Sequence, residues 1–130
     1  MTKKFVKKIL SMNDYFAVGG VDEKTIETAE KELGLSFAFD FKEYLKELGQ
    51  VIVDGHEFVG LHKSDRLNVV KVTKKAKQKY GDIPADWYVV EDICIDGILV
   101  WQSSKGIVYE TNMNGESKEI AKSLVEYIEE

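Results

Sequence analysis

The feature that most constrains the fold is a change in the spacing of apolar residues along the chain. Over residues 22–48 apolar side chains recur every three or four positions, which predicts two consecutive amphipathic helices. Later in the chain, short runs of β-branched and aromatic residues flank Asp-Gly pairs (residues 54–55 and 96–97), a pattern typical of β-hairpins. A chain that changes its period in this way is expected to pack helices against a sheet.

The same rules predict the remaining elements. Helices are predicted at residues 3–12, 22–34, 40–49, 64–80 and 117–130, and the predicted N-caps are Asp22, Asp40 and Ser117. Strands are predicted at residues 51–53 and 57–61, and an antiparallel meander at residues 87–95, 98–102 and 106–111. The fold class is therefore α+β, with several helices on a mainly antiparallel sheet. Residues 1–130 are predicted to form one domain, in which residues 1–19 are an N-terminal helix and loop.

Composition places the chain among ordinary globular proteins. Its 130 residues are 44% apolar and 32% charged, and a domain of this size folds without a metal or a disulfide. Its single cysteine, Cys94, excludes an intrachain disulfide. The N-terminus lacks the apolar core and cleavage site of a secretory signal, and no stretch is apolar enough for a membrane helix. A cytoplasmic protein without membrane contact is expected.

The charge pattern bears on the class of partner. The net charge is -5, and its sign alternates along the chain: residues 1–13 and 58–81 are basic, whereas residues 14–57 and 82–130 are acidic. An acidic total argues against direct binding to nucleic acid. The acidic blocks are either solvated helix faces or a surface that attracts a basic protein. The lysines of residues 63–79 are likewise a solvated face or an intramolecular partner of the acidic blocks.

No constellation of residues predicts catalysis. His56 and His62 lie in or beside the first hairpin, far in sequence from Cys94, and their spacing matches no zinc motif. Cys94 stands between two isoleucines in a strand-like run and is predicted to be a buried structural thiol. No phosphate-binding glycine motif is present. The sequence therefore predicts no catalytic residue, no cofactor and no metal ligand.

The stretch EDICIDGILVW, residues 91–101, admits two hairpin registers. A two-residue turn at residues 96–97 places Asp92 opposite Trp101 and packs Cys94 against the next strand. A wider turn that begins nearer Asp92 is the alternative. With the two-residue turn, Glu91 and Asp92 point to opposite faces of the sheet.

Two groups of motifs together resemble the SUKH superfamily, which includes fungal cell-wall regulators and bacterial immunity proteins. An acidic helix ends in E-x-x-L-G at residues 30–34, and a second helix carries F-K-E-Y-L at residues 41–45. The closing part resembles the family's G-x-V-Y segment at residues 106–109 and its last S-L-x-E-Y-I helix at residues 123–128. The order and spacing match over residues 20–130, although the usual proline between the first two helices is absent.

The resemblance implies a non-catalytic α+β domain that acts as a cytoplasmic immunity protein. It resembles the antitoxins that accompany LXG-type toxins, so the implied partner is a cognate secreted toxin with a basic nuclease domain, for which RNA is favoured over DNA as substrate. The eukaryotic relatives suggest the alternative, a regulatory or scaffold module that binds a cellular protein. Aromatic residues beside carboxylates are suitable for the toxin-binding surface, and the candidates are Asp86, Trp87, Glu91, Asp92, Trp101 and Glu110. Trp101 fits either the core or an interface, whereas Trp87 is expected at the surface.

Overall fold

A computed structural model describes residues 4–129. The helices are α1 Lys4–Ser11, α2 Glu23–Leu33, α3 Phe39–Glu47, α4 Val69–Lys79 and α5 Leu124–Glu129, with a 3₁₀ turn at Asp65–Leu67. The strands are β1 Tyr15–Ala17, β2 Val51–Val53, β3 His56–Phe58, β4 Tyr88–Asp92, β5 Leu99–Gln102, β6 Val108–Thr111 and β7 Ser117–Ala121. All seven form one antiparallel sheet in sequence order. The predicted single α+β domain is confirmed.

The main core lies on one face of the sheet. It contains buried residues of α1, α2, α3 and α5, together with Val69 and Val70 at the start of α4. Tyr44 and Leu45 of α3 are fully buried there. The Tyr44 hydroxyl donates to the carbonyl of Val59 (3.0 Å) and accepts from the backbone N–H of Val51 (3.1 Å). A buried hydroxyl needs partners of this kind, and these two fix α3 against the β2–β3 hairpin.

A second, smaller core lies on the opposite face, where the second half of α4 packs against the sheet. It contains Ala76 of α4 together with Trp87, Val89 and Trp101. β3 is short and pairs with β4 only near the end of β4, so the backbone N–H of Val89 donates instead to the Thr73 hydroxyl of α4 at 3.0 Å. α4 therefore lies beside β4 where a longer β3 would otherwise continue.

The first two predicted helices are present, and α2 ends as the sequence predicts. The predicted residue Lys3 lies outside the described residues, and α1 is described from Lys4. The Asp22 carboxylate accepts from the backbone N–H of Thr25 at 2.9 Å, and Gly34 ends α2 with φ +67°. The three-residue strand β1, which follows α1, was not predicted.

The prediction that Asp40 caps α3 is wrong. α3 begins at Phe39, after an extended Ala38 whose side chain makes no capping hydrogen bond. The Asp40 carboxylate instead accepts from Gln102 Nε2 (2.9 Å) and from the backbone N–H of Leu124 (3.1 Å). It connects α3 to β5 and to the first residue of α5, which is a tertiary role that local sequence does not reveal.

The predicted start of α4 at Ser64 is also wrong. Residues 65–67 form the 3₁₀ turn, and the α-helix begins at Val69. The Asn68 side chain caps it, since its Oδ1 accepts from the backbone N–H of Val70 (3.0 Å) and of Lys71 (3.3 Å). Asparagine is as good an N-cap as serine, so the periodic pattern alone does not distinguish the two starts.

The predicted C-terminal helix over residues 117–130 is wrong in its first half. Ser117 begins β7, which pairs with β6, and only Leu124–Glu129 is helical; Glu130 lies outside the described residues. The turn before β7 explains the difference. The Asn112 side chain accepts from the backbone N–H of Asn114 and of Glu116, and Gly115 has φ +79°. This turn returns the chain beside β6, where pairing of the backbone outweighs the local helical spacing.

Candidate functional site

The structure brings two of the six predicted contact residues together, but in the interior. Trp87 and Trp101 are 7% and 0% exposed, and their ring centroids lie 6.1 Å apart. The indole N–H of Trp101 donates to the buried Thr111 hydroxyl at 2.9 Å. The expectation that Trp87 lies at the surface is wrong, because α4 and the following loop cover this face of the sheet.

Tyr109 of β6 is the aromatic residue that this cluster presents toward solvent. Its ring stacks on Trp87 with 4.1 Å between centroids and 18° between planes, and it is only half-buried. In the sequence, Tyr109 belongs to the G-x-V-Y motif and is not among the predicted contact residues. The alternation of β6 is the signal that identifies it, since Val108 points into the main core and Tyr109 to the opposite face.

Glu91 is buried on the main-core face of β4 because of a β-bulge. Val89 pairs with Trp101, but Glu91 pairs with Val100, so Val90 is the extra residue. A bulge re-aims the side chains that follow it. Without it, Glu91 would share the face of Val89; with it, the Glu91 carboxylate accepts from the hydroxyl of Tyr127 in α5.

His56 completes this buried polar group. Its Nδ1 lies 3.0 Å from Glu91 Oε1, and its ring stacks on Phe58 with centroids 5.3 Å apart. The hydrogen bond to Glu91 raises the pKa of His56, and burial of the ring opposes part of that effect. The sequence places His56 in the first hairpin but does not predict its pairing with Glu91. With Tyr127, the pair joins β3, β4 and α5.

Asp86 and Glu110 are half-buried and lie apart from each other. Asp86 Oδ2 accepts from the backbone N–H (3.1 Å) and the hydroxyl (2.8 Å) of Ser104, which ties the segment before β4 to the β5–β6 turn. Glu110, on β6, forms an ion pair with Lys118 of β7 at 3.8 Å. Neither carboxylate shares a surface with the buried tryptophans.

Asp92 is exposed at the end of β4 and begins a wide turn. It pairs with Leu99, so the alternative register is the observed one and the pairing of Asp92 with Trp101 is wrong. Asp92 Oδ1 accepts from the backbone N–H of Cys94 at 2.8 Å, and Cys94 has φ +64°. A left-handed residue cannot continue a strand, which is why the turn begins early. Glu91 and Asp92 do point to opposite faces.

The prediction of a buried Cys94 thiol is consequently wrong, because the turn exposes this residue. Partial desolvation and the neighbouring Asp92 carboxylate raise the pKa of the Cys94 thiol, and a raised pKa disfavours the reactive thiolate. Within residues 4–129 no group of three His, Cys, Asp or Glu side chains is arranged to bind a metal ion. None of the helices in this range is both long and apolar enough to cross a membrane.

One end of the sheet is rich in exposed carboxylates. Because the strands are antiparallel and in sequence order, the segment before β1 and the β2–β3, β4–β5 and β6–β7 turns all lie at this end. Neighbouring strands are about 4.8 Å apart, so the end is on the order of 30 Å wide. We call it the acidic turn end, and its exposed carboxylates are Asp14, Asp54, Asp92, Asp96 and Glu116.

Comparison with known proteins gives the family. A family model named SUKH_5 and described as SMI1-KNR4 cell-wall matches residues 2–130. The chain belongs to the SUKH_5 family. No curated protein matches it. A crystal structure of a protein from Pseudomonas syringae pv. tomato superposes with a TM-score of 0.75 over 99% of this chain and 96% of that one, at 16% identity, which shows a shared fold.

Membership confirms the resemblance to the SUKH superfamily over nearly the whole chain. It suggests a role of the immunity-protein type. The pairing with an LXG-type toxin stays a prediction, and so does each of the six contact residues.

The SUKH_5 domain also has a basic groove beside the acidic turn end. This groove of about 680 Å³ lies between α4 and the β4–β5 turn. Exposed lysines of α4 form one wall and apolar residues form the floor. We call it the lysine groove; the wall is Lys71, Lys75 and Lys79, and the floor is Val72, Ala76 and Leu99.

Proposed function

We infer that this SUKH_5 domain is an immunity protein that binds and neutralises a cognate secreted toxin in the cytoplasm. Family membership over nearly the whole chain is the observation that carries this proposal. The finer proposal is that the partner is the basic nuclease domain of an LXG-type toxin, with RNA favoured over DNA as its substrate. The domain would act by binding and not by catalysis.

The acidic turn end supports a basic partner. A nuclease binds the phosphate backbone through a basic surface, and a row of carboxylates can occupy the same surface and accelerate association. Asp92 is the predicted contact residue that lies at this end. Asp96 belongs to the same β4–β5 turn, and Asp54 belongs to the neighbouring β2–β3 turn. All three carboxylates are exposed. We therefore propose that direct contacts centre on these three residues.

The other predicted contact residues have different parts in this proposal. Trp87, Glu91 and Trp101 are buried, so they would hold the strands that carry the acidic turns. Asp86 and Glu110 lie outside the acidic turn end and would contribute at most to the rim of the interface.

Co-expression with the cognate toxin domain tests the proposal. Wild-type protein is expected to restore growth, and the purified pair is expected to form a stoichiometric complex in which the toxin no longer degrades RNA. Degradation of RNA and of duplex DNA by the free toxin, measured side by side, decides the substrate. A toxin that stays active against cells containing folded SUKH_5 protein would sink the immunity role.

A second candidate, a regulatory or scaffold module, is favoured by the description of the family model, which refers to cell-wall proteins. In that case the partner is a cellular protein. Affinity purification from the native host separates the two functions, because a stable complex with a host protein, in a strain that lacks any toxin gene, is expected only of the scaffold.

A further inference from the structure

The lysine groove is a concave surface whose wall of lysines has no role in the toxin proposal or in the core. Lys71, Lys75 and Lys79 follow one another at intervals of four residues, so their ammonium groups line the same side of α4. Like charges at this spacing destabilise a helix slightly. In residues 4–129, no carboxylate forms an ion pair with any of the three. Their positive charge is therefore not neutralised by an ion pair.

The other charged residues of the groove do not neutralise this wall. Arg66 is already engaged, because its guanidinium donates to both carboxylate oxygens of Glu57, at 2.9 and 3.3 Å. Asp92 accepts from the backbone of its own turn. Apart from the paired Arg66, the lining has three lysines and two carboxylates, Asp65 and Asp92. The groove therefore has an excess of positive charge although the chain as a whole carries -5.

The groove also has apolar surface, and exposed apolar side chains lie near one of its ends. Its floor is aliphatic, and beyond Gly97 two apolar side chains stand out of adjacent turns. Ile95 is 61% exposed and Met113 is 60% exposed. A Cβ atom added to Gly97 would lie 2.8 Å from that of Met113, so the two turns touch. Exposed apolar residues that adjoin a charged groove are typical of protein-binding sites.

The positive wall and the apolar floor together indicate which kind of ligand the groove can bind. We propose that the lysine groove binds an acidic segment of a partner protein, with carboxylates against the lysine wall and apolar side chains on the aliphatic floor. This inference goes beyond the proposed function and does not need the partner to be a toxin. It makes the domain a binder with two adjacent surfaces of opposite charge, the acidic turn end and the lysine groove, and such a pattern fixes the orientation of a partner.

A peptide segment fits this groove better than a nucleic acid. Asp65 and Asp92 lie among the lining residues and would repel a phosphate backbone, whereas a peptide offers backbone N–H groups to carboxylates. Single-stranded nucleic acid also needs aromatic platforms for its bases. Tyr80, the aromatic residue of the lining, is engaged on one side by Lys79, whose Nζ lies 5.3 Å from the ring centroid.

A displayed library of random short peptides tests the inference. The intact wild-type domain serves as bait, and the variant K71E/K75E/K79E is used for counter-selection. The selected peptides are expected to be rich in Asp and Glu with interspersed apolar residues. Selection of basic peptides, or no enrichment over the variant, would overturn the inference.

The strongest selected peptide is then measured by fluorescence anisotropy. We expect Lys75→Glu to weaken binding at least tenfold. Lys74→Glu makes the same change of charge on the same helix but outside the groove, and it should change the affinity by no more than about twofold. Val72→Asp should weaken binding because it places a carboxylate in the apolar floor. Equal losses for Lys74→Glu and Lys75→Glu, or displacement of the peptide by single-stranded RNA, would contradict a groove specific for acidic peptide. Thermal unfolding of each variant confirms that it is folded.

Discussion

Glu91 is a predicted surface contact that the structure places in the interior. In the sequence it resembles a surface contact beside Asp92, but the bulge at Val90 turns it into the main core. There the carboxylate is close to His56 and accepts from Tyr127. A buried charge needs such partners, and removing one of them is more costly than removing a surface ion pair. The pair of Glu91 and His56 is therefore expected to contribute to stability.

This contribution should depend on pH in a defined direction. The pKa of His56 is raised in the folded protein by Glu91, whereas an unfolded histidine titrates near 6.5. The stabilisation is thus fully present below about pH 6.5 and is lost as the pH rises through the folded value. We expect His56→Asn to lower the free energy of unfolding by about 1 kcal/mol more at low than at high pH. Urea unfolding at about pH 6 and about pH 9 measures this difference.

His62→Asn is the matched control, because the ring of His62 accepts from the backbone N–H of Ser64 at 2.9 Å and is not paired with a carboxylate among the described residues. Because no carboxylate of the described residues pairs with it, the additional loss of stability at low pH that is expected for His56→Asn should be absent. A pH-independent effect of His56→Asn would show that the ion pair contributes nothing.

Trp101 is a buried core residue, so its substitution is expected to lower the stability of the fold. Trp101→Phe removes the indole N–H that donates to the Thr111 hydroxyl, and it leaves space beside Trp87. We expect it to lower the free energy of unfolding by about 2–3 kcal/mol. Combining it with Thr111→Val should cost less than the sum of the single changes, because both partners of one hydrogen bond are removed. Thermal unfolding of the four proteins measures this coupling, and an unchanged melting temperature for Trp101→Phe would refute the core role.

At the scale of the element, the start of α4 gives a direct comparison between two candidate caps. The sequence pattern favours Ser64, but the Asn68 side chain makes the capping hydrogen bonds. We expect Asn68→Ala to destabilise the protein by about 1 kcal/mol and Ser64→Ala to have an effect below about 0.5 kcal/mol. Chemical denaturation of both variants measures this, and the reverse order would move the functional start of the helix to Ser64.

The elements also show which information the sequence contains. The Asp-Gly pairs and the amphipathic spacing suffice for both hairpins, for α1, for α2 and for the α+β class, because turn chemistry and periodicity are local. The strand β7, the bulge at Val90 and the tertiary role of Asp40 were missed. Each of them depends on a residue that is distant in sequence. β7 pairs with the edge of β6, the bulge brings Glu91 to the hydroxyl of Tyr127, and Asp40 accepts from the side-chain amide of Gln102.

For the whole molecule, the charge pattern of the sequence corresponds to exposed surface, whereas the two tryptophans do not. Choosing residues for their aromatic rings selected Trp87 and Trp101, which are buried. The alternating charge blocks correspond to real surfaces, because the antiparallel order gathers carboxylates from four segments at one end and α4 presents its lysines beside them. That gathering follows from strand order, which no local pattern specifies.

The proposed toxin complex should therefore associate under electrostatic control. Asp96→Lys reverses a charge in the acidic turn end and should slow association about tenfold at low salt, with a smaller effect on dissociation. Glu27→Lys is the matched control, since it changes the net charge equally on the exposed surface of α2. Stopped-flow measurements at increasing salt concentration should give association rate constants for wild type and Asp96→Lys that converge, because screening shortens the range of the electrostatic field. If both variants slow association equally, net charge and not the turn end steers the partner.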